Sequence, residues 1–243
     1  ASHLNGLVGN AVARGILMAG LTAIGLLLGL PAHQKYHGPA LEQYIRDTFS
    51  SLPQDAVVVG TGDHNLFGTM YVQRALGRRT DVVYMDAYMM AHRWYHTRKT
   101  SEAAIDFAYR GVDVSTDRLF ASILAEGHPL FVANKFHSDL LSSWPTVPHG
   151  TLIRIFPRDR HPPAPRIAFK RNLEIYAHYS VEPRPDADPR TWDRFVMGSY
   201  ARTWRSLEIA LKKTGHREAA RKSAELADGF APWTAPPERD NQD

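Results

Sequence analysis

Residues 55–77 read DAVVVGTGDHNLFGTMYVQRALG and residues 81–87 read DVVYMDA. The first stretch opens on a short β-branched run that ends in glycine and aspartate, the pattern of a buried strand leaving a sheet. Beyond Asn65 the apolar positions change to helical spacing and stop at Gly77, where a helix C-terminus is expected. DVVYMDA is a second apolar strand, so the pair encodes strand, turn, helix, strand. Downstream, SEAAIDFAYRG (101–111) and STDRLFASILAEG (115–127) have helical period and end on glycine, while HPLFVAN (128–134) and TLIRIFP (151–157) read as strands. Strands alternating with helices of this length predict an α/β fold over residues 37–157: a small, mostly parallel, Rossmann-like sheet with flanking helices.

On the N-terminal side, residues 39–51 form an amphipathic helical pattern with Leu41, Tyr44, Ile45, Thr48 and Phe49 on one face. Before it lies GILMAGLTAIGLLLGLPAHQ (15–34), uncharged and close to the ~20 residues that cross a bilayer. Its glycines, Gly15, Gly20, Gly25 and Gly29, suit helix packing in a membrane. A transmembrane helix is therefore expected within residues 1–36, with a secretory signal or a buried soluble helix as alternatives. The chain opens on Ala1 without an initiator Met, and we read it as the C-terminal part of a longer multi-spanning protein. On the other side, a Pro-rich linker (158–165) leads to a helical tail (166–232) and a polar end (233–243) expected to be disordered. The last two helices of the tail turn at Gly215, with Tyr200, Trp204, Leu207 and Leu211 facing Ala219, Ala220 and Ala224, like one helical-hairpin repeat.

The bulk properties narrow the function classes. The 243 residues carry a net charge of +4, but Lys and Arg are scattered, without a basic stripe, so nucleic acid is not an expected partner. The chain has no cysteine, which excludes disulfides, thiolate catalysis and cysteine zinc sites.

The turn GTGDHN supplies the first candidate ligand residues: Gly60, Gly62, Asp63, His64 and Asn65. In a doubly wound sheet ligands bind beyond the carboxyl ends of strands, and glycine there lets backbone N–H groups approach an anion at a helix N-terminus. Asp63 can also serve as an acid, a base or a cation ligand. The plainer alternative is that Asp63 or Asn65 caps the helix and the glycines only make the turn. Asn65 stands where a dinucleotide fingerprint has its third glycine. Asp86, ending the second strand, stands where a ribose-binding acid would, or is simply a solvated strand end. His92 and His96 have the i, i+4 spacing of metal ligands, but Arg93 replaces the glutamate of a zinc hydrolase; no metal and no cofactor are expected. Ser138, Ser142 and Ser143 lack a nucleophile elbow, and Trp144 with Pro145 and Pro148 reads as an ordered loop over the sheet edge, structural or part of a substrate lip.

The segment LPQDAVVVGTGDHNLFGTMYVQRALGRRTDVVYMDAYMMAHRWY (52–95) resembles the region after the last membrane span of bacterial GT-C-type membrane proteins related to protein O-mannosyltransferases. Leu52, Pro53, Gly62, Asp63, Phe67, Tyr71, Gln73, Gly77, Arg79, Asp81, Val82, Trp94 and Tyr95 carry the likeness, in order and spacing. It continues through PLFVAN, HGTLIRIFP and the helical tail, and it departs at His64, Asn65 and Leu66, where that family has Asn, Asp and Thr. The resemblance implies a polytopic glycosyltransferase that moves a sugar from a polyprenyl-phosphate donor to a protein or glycan hydroxyl. This domain would then lie on the extracytoplasmic side of the inner (cell) membrane. It also implies a catalytic acid upstream of Ala1, so no residue here is assigned as catalytic. The other readings are a non-catalytic membrane-tethered binding module and a Rossmann-like domain for a nucleotide or S-adenosylmethionine.

Overall fold

The computed structural model describes residues 15–25, 27, 40–111, 115–133, 141–187 and 191–231. They belong to two units, residues 1–39 and 40–243. In the first, residues 15–25 are helical, and Ile16, Leu17, Met18, Leu21 and Ile24 are all more than half exposed. Among the described residues no helix is long and apolar enough to cross a membrane, which overturns the expected transmembrane helix. The end of that expected span and the polar end 233–243 lie outside the described residues.

The second unit opens with helix α1 (Ala40–Ser50), followed by strand β1 (Val57–Gly60) and helix α2 (Asp63–Met70), which continues as a π-helical turn over Tyr71–Ala75. Strand β2 (Val83–Asp86) leads through a short 3₁₀ turn to helix α3 (Arg93–Glu102) and helix α4 (Thr116–Ala125). Strands β3 (Leu130–Ala133), β4 (Thr146–His149) and β5 (Leu152–Ile155) complete the sheet, and helices α5 (Pro165–Ala177), α6 (Trp192–Lys213) and α7 (Arg217–Phe230) complete the chain.

The strand order is β2-β1-β3-β5-β4. β1 pairs parallel with β2 and β3, but β5 runs antiparallel to both β3 and β4. The sheet is thus mixed, not mostly parallel as the alternation of strands and helices suggested. The reason is local: only Gly150 and Thr151 join β4 to β5, and Gly150 takes φ 57, a left-handed value that favours glycine. A two-residue link can only reverse the chain, because a parallel crossover needs a dozen residues or more. Pro145 and Pro148 suggest a loop over the sheet edge, yet Thr146–His149 forms β4; an edge strand tolerates proline. The helix expected over 101–111 is also corrected. α3 ends at Glu102, and Ala104 takes a left-handed φ of 51 as the backbone brings Ile105 into the core.

Alternation along the strands divides the core in two. Val58, Tyr84, Phe131 and Leu152 face one layer, built from α1, α2 and the tail helices with Tyr200 and Trp204 at its centre. Val57, Val59, Met85 and Leu130 face the other, under α3 and α4, with Tyr95, Leu119, Phe120 and Ile123. Asn172 of α5 covers the sheet edge: its amide donates to the Pro148 carbonyl (2.9 Å) and its Oδ1 accepts from the Gly150 N–H (2.7 Å). α6 and α7 turn back at Gly215, and Ser223 Oγ donates to the Trp204 carbonyl at 2.8 Å.

The tail is fastened to α1 by one buried carboxylate. Asp47 is 4% exposed; its Oδ1 accepts from the Ser180 N–H (3.1 Å) and hydroxyl (3.0 Å), and its Oδ2 from the Tyr200 hydroxyl (2.7 Å). Burial first, and the Asp47 charge second, hold the Tyr200 phenol far above its ordinary range, so it remains a donor at any physiological pH. A hydrogen bond to a buried charge contributes about 1.5–3 kcal/mol, so Tyr200→Phe is expected to lower unfolding stability by about that amount. Asp47→Ala strands all three donors and should cost more. Urea denaturation of the two variants measures this, and a loss at Tyr200→Phe below about 0.5 kcal/mol would show that the contact is not a fastening.

Candidate functional site

Gly60 ends β1 directly beside Asp86, its register partner at the end of β2. A Cβ on Gly60 would stand 2.8 Å from the Tyr84 hydroxyl, so only glycine allows this close approach. That hydroxyl is buried without a hydrogen-bond partner, and burial raises its pKa well above the ordinary range. Gly62 is the N-cap of α2 at φ 94, and its carbonyl accepts from Asn65 and Leu66 N–H. Asn65 does not cap the helix with its oxygen; its amide donates back to the Thr61 carbonyl at 3.0 Å and pins the turn. Asp63 is not a cap either. It is the first residue of α2 and is exposed. His64 turns toward the start of α6, with ring centroids 4.7 Å from Phe195 and 5.8 Å from Trp192.

Asp86 is only 4% exposed, and its Oδ1 accepts from both Tyr88 and Met89 N–H at 3.0 Å. It caps the turn after β2, so the carboxylate that a ribose would need is engaged by its own backbone. The Asp86 N–H donates to the Tyr95 hydroxyl at 2.9 Å, and burial raises that phenol to about 12. His92 is the exposed N-cap of α3 and His96 is buried; no group of metal-ligating side chains forms among the described residues. Ser138 lies outside the described residues.

The residues that carry the family likeness divide into two sets. Arg79 is the hub of the first. Its Nη1 donates to the carbonyls of Phe49 and Leu52, its Nη2 to the Pro53 carbonyl, and its Nε and Nη2 to the two oxygens of Asp81. All five guanidinium protons are used, and a cation sits on carbonyls at the C-terminal end of α1, where the helix dipole favours it. Hydrogen bonding to Arg79 lowers the Asp81 pKa. Gln73 donates to the Arg79 and Val82 carbonyls (2.9 and 2.6 Å), closing the link between α2 and β2. These residues, with Leu52, Gly62, Val82 and Tyr95, build the scaffold.

The second set has no such work. Phe67 is 60% and Tyr71 is 42% exposed, with Met70 between them at 40%. With Asp63 they recur at i, i+4, i+7 and i+8, one face of a helix. The opposite face, Leu66, Val72 and Leu76, packs into the core. Sequence reasoning singled out the turn and missed this stripe, although the helical spacing of its apolar residues contains it: apolar positions on both faces of α2 are the sign. Trp94 on α3 is similarly exposed, at 62%.

No protein-family model matches the chain, and no curated protein or solved structure does.

Two carboxylates that look alike in sequence are therefore expected to behave differently. Asp86→Ala removes a capping acceptor and should cost about 0.5–2 kcal/mol. Asp63→Asn, whose exposed side chain has no hydrogen-bond partner among the described residues, should stay within about 0.5 kcal/mol. Thermal unfolding of the two compares them directly; equal losses would contradict the division into scaffold and free residues.

Proposed function

We propose that the chain is an extracytoplasmic recognition domain of a polytopic GT-C-like glycosyltransferase, one that moves a sugar from a polyprenyl-phosphate donor to a protein or glycan hydroxyl. The observation that supports it is the division just described. Gln73, Arg79, Asp81 and Tyr95 are family-like positions with a structural use. Asp63, Phe67 and Tyr71 are family-like positions that are exposed and form no side-chain hydrogen bond or ion pair among the described residues. An aromatic stripe with a carboxylate at one end suits a hydroxyl-bearing acceptor: rings pack on its apolar faces, and Asp63 accepts from its O–H groups. The chemistry itself is assigned to the membrane-embedded part of the transferase, and this domain contributes acceptor contact. The nucleotide reading is weaker, because Asp86 already caps its own backbone.

The test uses the full-length protein in its membrane. Phe67→Ser with Tyr71→Ser should reduce sugar transfer by about tenfold, the loss of roughly 1.4 kcal/mol of acceptor contact, at unchanged abundance. A cysteine introduced by Glu126→Cys should react with a membrane-impermeant maleimide in intact cells. Labelling only after the membrane is permeabilised would overturn the location. Undiminished transfer in the double variant would overturn the recognition role and favour a tethered binding module.

A further inference from the structure

On the sheet face opposite α2, a cavity of about 370 Å³ opens between α3, the segment 106–110 and one side of α4. α4 presents Ser115, Arg118 and Ser122 to it, positions i, i+3 and i+7, while Leu119, Phe120 and Ile123 on its adjoining face are buried in the core. Arg110 enters from the segment before α4, and His96 comes from α3. The cavity is of ligand size and has an apolar side formed by Phe107, Ala108 and Ala121.

The charges on its wall lack partners. Arg79, Arg98, Arg158, Arg184, Arg205 and Arg221 each pair with a carboxylate. Arg110 and Arg118, both exposed, form no ion pair among the described residues, and neither does Asp106; the described lining thus holds two arginines and one acid. Asp117, also on α4, is engaged by Arg158 (2.6 Å) and Trp144 Nε1 (2.8 Å). Ser115 is the N-cap of α4, and its Oγ accepts from the Arg118 N–H, which leaves its hydroxyl proton to donate. The positive end of the helix lies there.

A second observation is His96. It is only 3% exposed, its ring stacks on Phe107 (5.4 Å, 26°) and meets Tyr109 edge-on, and its Nε2 is buried without a hydrogen-bond partner. Burial lowers its pKa, so the imidazole is neutral near pH 7. The Tyr84 hydroxyl is in the same state elsewhere in the core, and His96 is the one of the two that lines the cavity.

From these groups we infer that the cavity is a binding site for the phosphoryl group of a small phosphate ester or diphosphate. One guanidinium fork satisfies both oxygens of a carboxylate. Two guanidiniums, two serine hydroxyls and a helix N-terminus supply more donors than that, and match a dianion with three terminal oxygens. The apolar side accommodates the group esterified to it. This site is separate from the α2 stripe, and the inference does not depend on the transferase reading.

The experiment is calorimetric titration of the whole chain with inorganic pyrophosphate near pH 7. Saturable binding is expected. Arg110→Ala and Arg118→Ala should each weaken it by about tenfold or more, as loss of a charge-assisted pair does. Arg221→Ala, a remote arginine on α7, should leave it unchanged, and so should the melting temperature of all three variants. A parallel arm sediments the chain with phosphatidylcholine vesicles containing phosphatidic acid. Co-sedimentation that pyrophosphate competes away and both cavity variants abolish identifies a lipid headgroup as the source of the phosphoryl group. Pyrophosphate binding without co-sedimentation identifies a soluble ester. No saturable binding in either arm, or binding that survives both cavity variants, overturns the site.

Discussion

Asp47 places a carboxylate in a buried layer, and a buried charge is tolerable only when its lone pairs are met. Its donors come from far along the chain, 133 residues away at Ser180 and 153 residues away at Tyr200. Tyr44 and Tyr179 pack against Tyr200 edge-on, and Phe230 of α7 stacks on it at 5.3 Å. Removing the tail would therefore do more than expose apolar surface on α1; it would strip Asp47 of its three donors and turn it to solvent. The helices after the Pro-rich link are bound by this constraint to the first helix of the α/β layer, and the two are expected to unfold together.

The same criterion separates structure from function elsewhere in the molecule. Arg79 uses every proton it has on backbone carbonyls and on Asp81, and it closes the segment between α1 and β2. Asp86 uses one oxygen twice on its own turn. Arg79 is complete, and nothing further is needed to account for it; Asp86 has one oxygen engaged. The Nε2 of His96 is incomplete by the same measure, whereas Arg110 and Arg118 are exposed and meet solvent. Polar groups held close to a cavity without a partner are where a missing ligand is most economically placed.

How much of this the sequence revealed follows from the range over which each signal acts. β1, α2 and β2 were legible because their periodicity is local and their ends are marked by Gly60, Gly62 and Gly77. Strand direction was not legible from alternation alone, since it depends on which strands become neighbours; yet the tight Gly150–Thr151 link was visible, and it requires β5 to run back along β4. β4 was hidden by Pro145 and Pro148, which argue against a central strand but not against an edge. The apparent helix at 101–111 had suitable residues, but Ile105 is buried with the α3–α4 layer, and the backbone turns at Ala104 to bring it there. At the site, Asp63 and Asp86 follow similar strands and look equivalent. Only the positions of Tyr88, Met89 and Tyr95 distinguish them, and those depend on the turn after β2.

The fold also explains why its two unpartnered surfaces can act separately. α2 lies on the layer shared with the tail helices, where Leu66, Val72 and Leu76 anchor it and Phe67, Met70 and Tyr71 point outward. α3 and α4 lie on the other layer, so the arginine-lined cavity is across the sheet from the stripe. Neither surface is required by packing: the exposed aromatics add little to the stability of a lone chain, and unpaired arginines add none. An aromatic face on one layer and an arginine-lined pocket on the other are different chemistries on one sheet. Because the layers share only the strands, a change in one reaches the other only through the sheet, and substitutions in the two surfaces should combine additively.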